Sequence, residues 1–162
     1  MTAKIHLPNQ SLYDQDFNLW LSATAQQLRE KRFEEIDLEN LIEEIESMGR
    51  SDRRSLKNFL IRLLEHLIKI TYWESERDRC ARGWRKEIGN FRSEIEDLLK
   101  DSPSLKPLLE ELFGECYRRA RRSVSDESGI KNIPNSTDWT LAQVINLDWF
   151  PIDIEDSDDL DD

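Results

Sequence analysis

The sequence has few glycines and none of the short motifs that identify common enzyme classes. Its 162 residues include 5 Gly, 5 Pro and 2 Cys. The glycines stand singly, so neither a phosphate-binding loop nor a dinucleotide-binding fingerprint is present. The nucleophile elbow of serine hydrolases and the helical zinc-binding motif of metalloproteases are also missing. The sequence therefore gives no direct indication of a reaction.

Long hydrophobic runs are missing as well. The most apolar stretch, residues 59–70, is interrupted by charged residues, so nothing approaches the roughly 20 apolar residues of a membrane span. The first ten residues lack the apolar core and cleavage site of a secretory signal. Two isolated cysteines without metal-binding spacing are typical of a reducing compartment. We therefore predict a cytoplasmic protein that has no membrane association and no cofactor.

Charge is abundant and unevenly distributed. Of all residues, 35% are charged, the formal charge is −11, and the mean hydropathy is −0.71. Residues 1–49 carry 10 acidic and 4 basic residues, residues 50–92 carry 6 and 12, and residues 93–162 carry 18 and 7. Seven acids fall within residues 153–162, where mutual repulsion opposes packing, so we predict a disordered acidic tail there. Because residues 50–92 are net positive, the negative charge of the whole chain does not exclude binding to nucleic acid or another acidic partner.

Apolar residues recur at three- and four-residue intervals from residue 14 to residue 126, which predicts an all-α protein. We expect a single-domain helical bundle of about five main helices, with a short C-terminal helix. The predicted organisation is an N-terminal arm over 1–12, the helical-bundle domain over 13–152, and the acidic tail over 153–162.

Capping residues and breakers predict where these helices begin and end. The first helix is capped by Asp14 and ends near Arg29–Arg32, and the second runs from Asp37 to a stop at Gly49. The remaining expectations follow the chain in order: a third helix from Ser51 or Asp52 to about Trp73, a connection or a frayed first helical turn over Glu74–Arg82, a fourth helix through Trp84 and Leu98, a fifth from Ser102-Pro103 to about Gly129, and a short one from Thr140 to about Leu147.

Several of these segments resemble a known family. The resemblance rests on Tyr13-Asp14-x-Asp16-Phe17-x-x-Trp20-Leu21, on the run from Arg32 to Arg50, on His66-Leu67-Ile68-Lys69, on Ser102-Pro103-Ser104-Leu105 and on Phe150-Pro151. The family is catalogued as domain of unknown function twenty-nine, a bacterial family abundant in cyanobacteria. The resemblance implies a helical bundle and brings no assigned activity, cofactor or catalytic residue. The connection at residues 72–83 departs from the family pattern.

A carboxylate and an imidazole form the first candidate site. Glu44 lies at the edge of the second helix's apolar face, and His66 lies on or beside that of the third. If the two helices pack antiparallel, the side chains meet, and the pair could act as a general base or a weak metal site. The alternative is a structural hydrogen bond that satisfies the histidine. We predict no dedicated metal centre, because only His6 and His66 are available and the ExxH spacing of di-iron bundles is absent.

Two arginine-rich clusters form the second candidate site. Basic side chains interleaved with aromatic rings are typical of nucleic-acid binding, because they hold phosphates while the rings stack on bases. The alternative is a solvated face whose arginines pair with neighbouring acids. The candidate nucleic-acid-binding residues are Arg82, Arg85 and Lys86 in the first cluster and Arg118, Arg119, Arg121 and Arg122 in the second.

Amphipathic helices and numerous aromatic residues offer interface material, whereas no convincing catalytic constellation is present. The sequence therefore favours a non-enzymatic module that binds another protein or a second copy of itself. A nucleic-acid-associated protein that uses the arginine clusters is the alternative. An enzyme that uses Glu44 and His66 is the least favoured interpretation.

Overall fold

The computed structural model describes residues 11–153, and within that range it is helical and contains no β-strand. This confirms the all-α prediction. Residues 1–10, most of the predicted arm, and residues 154–162, nearly all of the predicted tail, lie outside the described range. The α-helices are α1 (Leu12–Gln15), α2 (Phe17–Arg29), α3 (Leu38–Tyr72), α4 (Glu74–Asp101), α5 (Lys106–Ser128) and α6 (Leu141–Ile145), with 3-10 turns at Phe33–Glu35 and Pro103–Leu105.

The chain divides into two compact units at Arg50. The N-terminal unit, as described, comprises residues 11–50 and contains α1, α2 and the beginning of α3. The C-terminal unit comprises residues 51–153 and contains the rest of α3 with α4, α5 and α6. The sequence did not predict this division.

The C-terminal unit contains the hydrophobic core. The second half of α3 is its main contributor, and α4, α5, α6 and one loop residue complete it. Two ion pairs of 2.7 Å, Lys57–Glu115 and Lys69–Glu127, join α3 to α5 at the same offset along the chain, so these two helices run in the same direction. The fully buried core residues include Leu60, Leu63, Leu64, Leu67, Ile68 and Ile70 of α3, Ile88 of α4, Leu109, Ala120 and Val124 of α5 and Val144 of α6.

Local polar contacts set the helix limits of the N-terminal unit. Asp16 caps α2, since its Oδ1 accepts a hydrogen bond from the Leu19 amide at 2.9 Å. The predicted cap, Asp14, is wrong for this helix: it lies within α1 and accepts a hydrogen bond from Ser11. Asp37 is confirmed at the start of α3, where its Oδ1 accepts from the Asn40 amide at 3.3 Å.

The predicted stop at Gly49 is wrong, because α3 continues through Gly49, Ser51 and Asp52 without a break. A glycine inside a helix costs about 1 kcal/mol relative to alanine. Ending one helix and starting another at this point would leave several carbonyl and amide groups without intrahelical hydrogen-bond partners. The second and third predicted helices are therefore one helix of 35 residues.

Of the two predictions for Glu74–Arg82, the connection is wrong, because the segment is helical and α4 begins at Glu74. Only Trp73 interrupts the two long helices. Glu74 and Glu76 lie in the first turn of α4, where negatively charged side chains stabilise the helix N-terminus. Arg77 reaches back to the end of α3 and donates to the carbonyl oxygens of Ile70 and Thr71 at 2.8 and 2.7 Å. The charged composition that indicated a loop thus stabilises a helix start.

Later boundaries agree better with the sequence. Thr140 begins α6 with a reciprocal capping box, in which Gln143 accepts from the Thr140 amide at 2.9 Å. Gly129 ends α5 with a φ of 76°, a left-handed conformation that favours glycine. Within residues 11–153, every helix is too short or too polar to cross a bilayer.

Candidate interaction surface

Exposed apolar side chains concentrate in the N-terminal unit. Among residues 11–153, eleven large apolar side chains are exposed, and ten of them lie before Arg50. The single one beyond Arg50 is Leu147. Since isolated exposed apolar residues are ordinary but clusters mark contact surfaces, this distribution distinguishes the two units.

The beginning of α3 carries the most regular part of this surface. Its members are spaced by three and four residues, so they lie along one side of the helix. Their exposed fractions are 61% for Leu38, 48% for Ile42, 61% for Ile45 and 66% for Met48. We call these four side chains the α3 stripe. The α3 stripe has the spacing of the apolar side that an amphipathic helix normally packs against a hydrophobic core.

A row of acids borders the α3 stripe. Glu39, Glu43 and Glu46 follow one another at four- and three-residue spacing, and all three are exposed. Arg50 forms ion pairs with Glu43 at 2.7 Å and Glu46 at 3.8 Å. Glu39 has no such partner among the described residues. We call these three glutamates the acidic row.

An aromatic cluster holds α1 and α2 together in the N-terminal unit. The Tyr13 ring meets Trp20 edge-on with 4.8 Å between centroids, and Phe17 stacks on Trp20 at 5.9 Å. The Tyr13 hydroxyl donates a hydrogen bond to Glu44. This bond, together with desolvation, raises the pKa of Tyr13 to about 12. Trp20 is buried, and its indole N–H lacks a hydrogen-bond partner within the described part of the chain.

The predicted Glu44–His66 pair required two antiparallel helices, and that premise is wrong. Both residues belong to the single helix α3, 22 residues apart in sequence. Glu44 accepts its hydrogen bond from Tyr13, and His66 makes its own with the carbonyl oxygen of Arg62. The prediction failed because Gly49 was taken as the end of a helix.

His66 lies in an environment that opposes its protonation. Its Nδ1 donates to the Arg62 carbonyl oxygen at 2.7 Å, and its ring lies 5.6 Å from that of Phe91. Burial lowers the pKa of His66, and the positive charge of Lys69 adds to this effect, while the hydrogen bond to the Arg62 carbonyl and the charges of Glu65 and Glu87 oppose it. These contacts match the structural interpretation of the histidine.

The arginine clusters divide into packed and exposed members. Arg85 lies over the Phe150 ring at 5.4 Å, and Arg121 donates through Nε to the Ile133 carbonyl oxygen at 2.8 Å. These two side chains hold the C-terminal segment against α4 and α5. The other predicted nucleic-acid-binding residues, Arg82, Lys86, Arg118, Arg119 and Arg122, are exposed.

The aromatic rings near these clusters are engaged in packing. Trp73 and Trp84 stack at 6.0 Å. The Tyr117 hydroxyl donates to the Pro134 carbonyl oxygen at 3.0 Å, and its ring meets Trp139 edge-on. The aromatic residues that alternate with basic ones in the sequence therefore pack within the protein, which accounts for this pattern without a binding face.

Arg92 is a structural residue that the sequence analysis did not single out by role. It is 1% exposed and donates to the carbonyl oxygens of Val144 at 2.8 Å, Leu147 at 3.3 Å and Trp149 at 2.7 Å. The Phe150 ring lies 5.2 Å from the guanidinium carbon. Burial lowers the pKa of Arg92 to about 10, so the group stays charged at neutral pH. Arg92 thus satisfies the carbonyl groups at the end of α6 and beyond.

A cleft of about 410 Å³ lies beside Arg92. Its lining combines four apolar side chains with four charged ones. Three of the charged lining residues are basic, and Glu96 is the acidic one. Its lining residues are Arg92, Ile95, Glu96, Leu99, Lys100, Lys106, Ile145 and Leu147.

The described part of the chain contains potential metal ligands and two thiols. Within residues 11–153, no group of three or more His, Cys, Asp or Glu side chains is placed to hold a metal ion. Cys80 and Cys116 are both free thiols. Burial on the inner face of α5 raises the pKa of Cys116 to about 11, which makes its thiol a packing group rather than a nucleophile.

Comparison with known proteins places the chain in a family. The model of the family described as domain of unknown function DUF29 matches residues 12–150. No curated protein and no solved structure matches the chain. The match spans nearly all of the described structure, from the start of α1 to the segment that Arg92 holds. The chain therefore belongs to the family of the domain of unknown function DUF29.

Proposed function

We propose that this protein is a non-enzymatic binding module that docks a partner protein on the α3 stripe. The observation that carries the proposal is the concentration of exposed apolar side chains before Arg50, in a chain whose C-terminal unit buries its own. Exposed apolar clusters of this kind are typical of protein contact sites. The free thiols of Cys80 and Cys116 support the cytoplasmic location predicted from the sequence.

The energetic argument concerns a few side chains. Complete burial of an Ile, Leu or Met side chain contributes about 1.5–3 kcal/mol. Leu38, Ile45 and Met48 are each more than half exposed, so a partner gains a substantial fraction of that value from each. A small number of such anchors commonly dominates the affinity of a protein interface.

Site-specific cross-linking tests this proposal. A photo-reactive phenylalanine analogue at position 45 should cross-link one defined protein in the native cell, while the same analogue at position 147 should not. Leu147 is the matched control because it is apolar and exposed but lies in the C-terminal unit. The double variant Ile42→Ser/Ile45→Ser should abolish co-purification of the same protein. Equal cross-linking from both positions would contradict the proposal.

Nucleic-acid binding is a second candidate function, supported by the exposed Arg118, Arg119 and Arg122 on α5. Affinity for single- or double-stranded DNA or RNA should then fall steeply with salt, because phosphate contacts release counterions. The triple charge reversal of these arginines to Glu should abolish binding, whereas Arg121 is left unchanged because it holds the Ile133 carbonyl. Binding that survives the reversal would remove this candidate.

A further inference from the structure

We propose that the occupant of the α3 stripe is a basic amphipathic helix of another protein. This inference rests on the proposed function and adds the chemistry of the partner to it.

The charge of the partner follows from that of the N-terminal unit. Residues 11–50 contain 10 acidic and 4 basic residues, a formal charge of −6. Two of the basic residues are already committed, since Arg32 pairs with Glu30 and Glu35, and Arg50 pairs with the acidic row. Of the acids in this unit, the acidic row lies beside the α3 stripe, and within that row Glu39 has no ion-pair partner among the described residues. A partner with lysines or arginines beside its apolar side chains therefore fits this surface.

The secondary structure of the partner follows from the shape of the stripe. Met48 follows Leu38 by ten positions, which is about 15 Å at the 1.5 Å rise per residue of a helix. α3 satisfies its own backbone hydrogen bonds here and offers no sheet edge to which a strand could add. A partner that buries its backbone against this face must also satisfy its own amide and carbonyl groups, and a helix does so. Met48 adds an adaptable side chain to such a contact.

A second copy of this chain fits the surface poorly. Two-fold pairing of α3 stripes would bring two acidic rows together at the rim of one interface. Like charges placed opposite one another across an interface cost several kcal/mol. The anionic headgroups of a membrane surface meet the same repulsion. Charge complementarity therefore selects a basic protein segment over both.

Three synthetic peptides of about 18 residues test the inference with the full-length protein. The first places Leu at i, i+3, i+4 and i+7 and Lys elsewhere, the second replaces each Lys by Glu, and the third scrambles the Leu/Lys sequence. Fluorescence anisotropy of the labelled peptides gives their dissociation constants. We expect the amphipathic Leu/Lys peptide to bind at least about tenfold more tightly than either control, and less tightly as salt is raised.

Two variant proteins locate the binding. The triple variant Glu39→Gln/Glu43→Gln/Glu46→Gln should weaken the amphipathic Leu/Lys peptide about tenfold. Its matched control, Glu94→Gln/Glu110→Gln/Glu111→Gln, makes the same charge change at exposed positions of α4 and α5 and should leave the affinity unchanged. Equal losses in both variants, or equal binding of the scrambled peptide, would overturn the inference. Dimer formation through the stripe, detected by sedimentation of the wild type and lost in Ile42→Ser/Ile45→Ser, would overturn it as well.

The peptide and cross-linking experiments together distinguish a wrong partner chemistry from a wrong proposed function. If position 45 cross-links a defined protein but the Leu/Lys peptide binds no better than its controls, the docking surface stands and the basic helix is wrong. If position 45 cross-links nothing and the peptide does not bind, the proposed function itself is wrong.

Discussion

Arg92 connects the segment from α6 to Trp149 with α4 through its three carbonyl partners. Removing a buried donor leaves carbonyl groups without partners, at about 1–3 kcal/mol for each. We expect Arg92→Met to lower the free energy of unfolding by about 3 kcal/mol or more, measured by urea denaturation. Arg92→Lys should recover only part of this loss, because an ammonium lacks the planar fork that reaches separated acceptors.

This role of Arg92 could not be predicted from the sequence. Its acceptors lie 52, 55 and 57 residues further along the chain, so no local pattern connects them. An arginine within a charged helix is typical of a solvated face. Arg77 is similar, because its contact with the end of α3 depends on a helix that begins at Glu74, where the sequence predicted a connection or a frayed first turn.

His66 gives the protein a pH dependence with a definite sign. Because burial lowers the pKa of His66, the unfolded chain binds a proton more readily than the folded one. Stability from this group is complete above the ordinary histidine pKa near 6.5 and is lost as pH falls from there toward the lowered value. Urea denaturation at about pH 7.5 and pH 5 should show a larger loss for the wild type than for His66→Gln.

Comparing the wild type with His66→Gln removes the contribution of the other histidine to the pH dependence. His6, the other histidine of the chain, is present in both proteins, so its titration cancels in the difference. If His66 were protonated in the folded state through a carboxylate, as the predicted Glu44 pair required, the wild type would instead gain stability relative to His66→Gln on acidification.

At the scale of the helix, glycine substitutions test the unexpected start of α4. Gly83 and Gly89 lie inside this helix, and an added Cβ meets no atom within 4 Å at either position. Gly83→Ala and Gly89→Ala should each raise the free energy of unfolding by up to about 1 kcal/mol, measured by urea denaturation. Gly129→Ala should lower it by about 1–2 kcal/mol, because the φ of 76° is unfavourable for alanine.

Gly83 adjoins the segment that the sequence predicted as a connection. If Glu74–Arg82 were a loop, Gly83→Ala would have no helix to stabilise, and only Gly89→Ala would raise stability. Equal effects at the two positions therefore verify that α4 begins before Gly83.

The helices were predictable where periodicity was long and their ends were less so. The cores of α2, α3, α4 and α5 follow from apolar spacing, and Thr140 and Gly129 have recognisable capping roles. The predicted breaks at Gly49 and at Glu74–Arg82 were wrong. A glycine or a charged run within a helix costs less free energy than the backbone hydrogen bonds that would be lost if the helix ended there. The exposed α3 stripe was missed as a binding face because its spacing equals that of a core helix.

At the scale of the molecule, the two units differ in what their apolar residues do. α3 runs through both, so the same residue type can be compared on one helix. Ile68 is 0% exposed in the core of the C-terminal unit, and Ile45 is 61% exposed on the α3 stripe. Ile68→Ala should lower the free energy of unfolding by about 2–5 kcal/mol, because it removes buried methyl groups and leaves a cavity.

Ile45→Ala should change the same quantity by less than about 0.5 kcal/mol, because an exposed side chain loses little packing. Urea denaturation of the two single variants measures both values with identical chemistry at each site. Together with an Ile42→Ser/Ile45→Ser variant that folds normally but loses its partner, this result would assign the stripe to binding rather than to stability. A loss of about 2 kcal/mol or more in Ile45→Ala would contradict the assignment, because it would mean that the protein itself uses this side chain for its fold.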